Sequence, residues 1–136
     1  MGRNFTDFLS GAGYFLLETT REAVLRHDDE TVQQEREAGI SILTAALYES
    51  KIKDTEIVRL LQKYYGLKEN EAREQIRIEK TINHPCRELE LYLMSTEAFS
   101  QQEARDYIID HGMIDLLRQE RGLWKLSSKE LLKRIE

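Results

Sequence analysis

Very little in this chain would break a helix. One proline and seven glycines among 136 residues leave scant material for the turns of a many-stranded β-fold. The single cysteine, Cys86, excludes an intrachain disulfide, and with only three histidines it excludes a structural zinc site of the usual Cys/His kind. No stretch approaches the ~20 apolar residues that cross a bilayer. The longest apolar run near the N-terminus, Ala12 to Leu17 with Gly13 inside it, is too short for the core of a secretory leader. The expectation is a cytoplasmic protein with no membrane contact.

Reactive constellations are equally scarce. There is no Gly-rich phosphate loop, no dinucleotide fingerprint and no nucleophile elbow. No Glu-x-x-His pair could supply a carboxylate-bridged metal site in a bundle. His27-Asp28 has no histidine upstream and only His84 and His111 elsewhere, so it reads as a polar turn rather than part of a phosphohydrolase site. Cys86, just after Pro85, reads as a small buried hydrophobe rather than a reactive thiol. His111 is placed on the apolar side of its helix, where a last-turn histidine suits the helix C-terminus. No catalytic residue, cofactor or metal is expected, and the chain is read as non-enzymatic.

What is abundant is Leu, Glu, Lys, Arg, Gln and Ala, the stronger helix formers. Apolar spacing predicts a helix over residues 4–26, against which Gly11 and Gly13 argue for a kink. A second helix is predicted from Thr31 to Tyr48, with Val32, Ile40, Leu43, Ala46 and Leu47 on one face. Asp54 is read as the N-cap of a third, whose stripe is Ile57, Leu60, Leu61 and Tyr64 and which ends at a left-handed Gly66. A fourth runs from Glu69 to about Asn83, with Ala72, Ile76 and Ile82 inward. Asn83-His84-Pro85 is read as a break, because the residue before a proline is pushed from helical geometry. A fifth covers residues 85–96 on Leu89, Tyr92 and Leu93. Ser100-Gln101-Gln102-Glu103 and Ser127-Ser128-Lys129-Glu130 are capping boxes. The first opens a helix ending at Gly112 and the second a final helix on Leu131, Leu132 and Ile135, with a short helix near Met113 to Glu120 between them. The fold class is all-α, with six to eight helices in a compact bundle. It is divided as a long helical hairpin (1–50), two related helix-turn-helix units (54–118) and a loop with a basic C-terminal helix (119–136).

The relation between those units is an echo at 32 residues. It pairs Ile57 with Leu89, Leu61 with Leu93, Gly66 with Ala98, Leu67 with Phe99, Glu71-Ala72-Arg73 with Glu103-Ala104-Arg105, and Ile76 with Ile108. In each copy an apolar residue after the turn (Leu67, Phe99) is placed to staple the two helices together. The Tyr65-Gly66-Leu67 loop resembles the apolar-Gly-apolar loop of ubiquitin-associated-type three-helix modules, over that short segment alone; the second copy lacks the glycine.

Charge distinguishes the two ends. Residues 1–50 carry nine acidic and four basic side chains, whereas residues 118–136 carry six basic and three acidic. The expected function is binding to a protein partner, including a second copy of the chain, with Phe5, Phe8, Tyr14, Phe15 and Leu17 as the contact surface. The alternative is a small helix-turn-helix regulator touching DNA through Arg73, Arg77, Gln101, Gln102 and Arg105. The net charge of −5 and the acids interleaved among those cations disfavour nucleic acid. Lys125, Lys129 and Lys133 are spaced for one basic helical face, and Trp124 is read as an anchor of the last helix.

Overall fold

The computed structural model describes residues 32–136, so the helix expected over 4–26 lies outside the described residues. Every regular element among the described residues is helical, as the composition implies. The described residues fall into two units, divided between Glu79 and Lys80.

In the first unit α1 (Val32–Glu49), α2 (Asp54–Tyr65) and α3 (Glu69–Ile78) each pack on the other two. Their shared core is Ile40, Ile57, Val58, Leu61, Ala72 and Ile76, with Leu43, Leu47, Tyr65 and Leu67 packed around it. Two stripes differ from expectation. On α1 Val32 and Ala46 are exposed, and the buried positions are Glu37, Ala38, Ile40, Thr44 and Ala45. Glu37, Ile40 and Thr44 form one row at i, i+3, i+7 and Ala38 and Ala45 an adjacent one at i, i+7, so a single-stripe reading rotates the helix wrongly. On α2 Tyr64 is 64% exposed, with the Lys63 ammonium 5.3 Å from its ring centroid. Val58 and the half-buried Tyr65 take up the inward face instead.

The caps follow local chemistry, with one displacement. Lys53, in extended geometry, occupies the N-cap of α2 and Asp54 is its first helical residue. Asp54 and Glu56 therefore act through the positive end of the helix rather than as a side-chain cap. Gly66 ends α2 at φ 65°, its N–H donating to Gln62 O at 2.9 Å. A Cβ in that conformation is strained, which accounts for glycine there.

The break expected at Asn83-His84-Pro85 is not present. A π-helical turn, Glu79–Asn83, follows α3, and α4 (His84–Thr96) begins at the next residue. Asn83 keeps helical angles, φ −67° and ψ −47°. The proline ring would clash with the carbonyl four residues earlier in a regular α-helix, and it has no N–H to donate. A π turn, with its i→i+5 spacing, precedes the proline, and the backbone stays helical through Asn83.

The second unit contains α4, α5 (Gln101–Asp110), α6 (Met113–Gln119), a 3₁₀ turn (Leu123–Lys125) and α7 (Ser128–Ile135). Here α4 packs on α5 and α7, and α5 on α6. Leu89, Leu93, Ala104, Ile108, Met113 and Leu131 are buried almost completely. Both capping boxes form. Ser100 Oγ accepts from Glu103 N at 3.1 Å while Ser100 N donates to Glu103 Oε1 at 2.7 Å. Ser127 and Glu130 repeat the arrangement at 3.2 and 3.1 Å. Lys125 lies in the 3₁₀ turn ahead of that second cap, so it does not share a helix with Lys129 and Lys133.

The 32-residue echo extends to the backbone. Gly66 and Ala98 both adopt positive φ, 65° and 57°. Lys68 N donates to Glu71 Oε1 at 2.8 Å, as Ser100 N does to Glu103 in the second copy. The paired apolar positions Ile57 and Leu89, Leu61 and Leu93, and Ala72 and Ala104 are all buried.

Candidate functional site

The side chains that come together most suggestively lie in the first unit, between α1 and the start of α3. Gln33, Arg36, Glu37 and Ile40 recur at three and four residues and therefore share one side of α1. Leu67, Asn70, Glu71, Glu74 and Gln75 face them across a cavity of about 630 Å³. The size falls in the range of roughly 300–1,000 Å³ typical of ligand clefts.

A glycine and a tyrosine brace one end. A Cβ built on Gly39 would lie 2.3 Å from Tyr65 Oη, so the tyrosine reaches α1 only because that position has no side chain. Gly39 would otherwise weaken the helix by about 1 kcal/mol relative to alanine. Arg36 completes the brace. Its guanidinium donates to Tyr65 O at 2.6 Å and stands 5.7 Å from the ring centroid. A cation is thus placed on an end carbonyl of α2, where the helix dipole favours it.

Glu37 sits within this frame, 3% exposed. Gln33 Nε2 donates to its Oε1 at 3.2 Å. Its Oε2 is buried and meets no hydrogen-bond donor among the described residues. Removing a carboxylate oxygen from water without a donor costs at least about 1–3 kcal/mol, and more when it is charged. The other carboxylates of the cleft are engaged. Glu71 accepts from Lys68 N, and Glu74 holds Arg77 at 2.6 Å, an exposed pair that keeps its carboxyl below the usual carboxylate range. Three carboxylates line the cleft against one guanidinium, which is itself committed to Tyr65. The arrangement suits recognition of a hydrogen-bond donor or cation.

The chain matches no protein-family model, no curated protein and no solved structure.

The residues singled out from sequence fall elsewhere. Phe5, Phe8, Tyr14, Phe15 and Leu17 lie outside the described residues. Arg73 pairs with Glu69 at 2.9 Å and Arg77 with Glu74, both along the exposed side of α3. Gln102 Nε2 donates to Asp106 Oδ1 at 2.8 Å on the surface of α5. Arg105 is only 6% exposed, its Nε 2.8 Å from Glu90 Oε2 on α4, and Gln101 Nε2 donates to Glu90 Oε1 at 3.2 Å. These last two residues therefore serve a buried ion pair. Burial pushes the Glu90 carboxyl up, against the pull of Arg105 and Gln101.

His111 is exposed rather than on the apolar side. It caps α5, stacks on Tyr107 with centroids 3.8 Å apart, and places Nδ1 2.8 Å from Tyr107 O. Cys86 is fully buried and its thiol is pushed far up by that burial. Trp124 is half-buried, flanked by the Lys80 and Lys125 ammoniums at 5.2 and 5.5 Å from its ring centroid.

Sequence reasoning missed Arg36, Glu37 and Gly39, and placed Tyr65 only in the loop before Gly66. One signal was available: Gly39 interrupts a run of good helix formers.

Proposed function

We propose that this chain is a non-enzymatic helical interaction module that receives a segment of a partner protein in the cleft between α1 and α3. The observation carrying this reading is the cleft itself, a cavity of about 630 Å³ between α1 and α3 lined by both apolar and polar side chains. Flanking Ile40 and Leu67 supply the apolar contact, and Gln33, Asn70 and Gln75 the amides that orient a bound chain. The alternative of a DNA-binding regulator draws less support, since Arg73, Arg77 and Arg105 are each paired to a carboxylate and a phosphate contact would have to displace one.

A photo-crosslinking residue tests the reading when placed at Asn70, in the cleft, and at the exposed Gln62 on α2 as control. Irradiation in cells is expected to give adducts of discrete mass at position 70 and none at 62, and light scattering on the purified chain shows whether a second copy accounts for them. Equal adduct patterns at both positions, or none at either, would sink the proposal.

A further inference from the structure

We draw no further inference here: the strongest candidate, the cleft lined by Ile40, Leu67, Asn70 and Gln75 between α1 and α3, belongs to the site already described, and nothing among the described residues shows the chemistry of what fills it.

Discussion

Gly39 and Tyr65 show how one missing methyl group shapes the first unit. Alanine at 39 would gain about 1 kcal/mol of helix propensity, yet its Cβ would meet the tyrosine hydroxyl at 2.3 Å. Overpacking of that order costs roughly 1–3 kcal/mol. Gly39→Ala is therefore expected to lower stability, and adding Tyr65→Phe, which removes the clashing oxygen, to recover most of the loss. Urea denaturation of both single variants and the double variant measures the coupling; additivity would refute the contact. Arg105 is the corresponding case in the second unit. Replacing it by methionine leaves Glu90 buried without its counter-charge, a change worth about 3 kcal/mol or more. The Glu90 carboxyl is already raised by burial, and the loss of Arg105 raises it further. A carboxyl raised in the folded state contributes stability that is present below its unfolded pKa and lost as the pH climbs through the folded value. Arg105→Met should thus fall well below the parent at pH 8 and approach it near pH 4, as urea unfolding at the two pH values would reveal.

At the scale of elements, the chain ends its helices by two routes to the same geometry. Gly66 and Ala98 both hold positive φ after a helix, and only one of them is the residue that tolerates it freely. Ala98→Gly is expected to raise stability by about 0.5–1 kcal/mol by relieving left-handed strain. Gly66→Ala should lower it by about 1 kcal/mol, through backbone strain alone, since nothing lies within 4 Å of a Cβ there. Thermal melts of the two variants should shift in opposite directions. The π-helical turn before Pro85 belongs to the same scale. Proline rules were right about the local conflict and wrong about its resolution, because a helix can widen as well as stop.

For the whole chain, the net charge of −5 and pI near 5.3 place the solubility minimum close to that pH, where self-repulsion vanishes. Turbidity of the purified protein across pH 4 to 8 should peak there and fall on either side. Among the described residues no helix is long and apolar enough to cross a membrane, in keeping with the absence of a long apolar run. Of the candidate cleft, little could be read in advance. Its parts come from α1, the loop at Leu67 and α3, more than thirty residues apart at the extremes. Each part taken singly looks like ordinary helix surface.

The sequence alone determined what depends on neighbours along the chain. That covers the all-helical class, the capping boxes at Ser100 and Ser127, the left-handed stop at Gly66 and the buried pairs of the 32-residue echo. These follow from propensity, periodicity and bonds spanning three or four residues. Tertiary structure decided which row of α1 is buried, that Tyr65 rather than Tyr64 turns inward, and that Arg105 is held by Glu90 instead of offered to a ligand. Above all it decided that Glu37, an ordinary acidic residue of an acidic segment, loses its water without gaining a full set of donors. Burial depends on what packs from outside the helix, and no period within α1 encodes it.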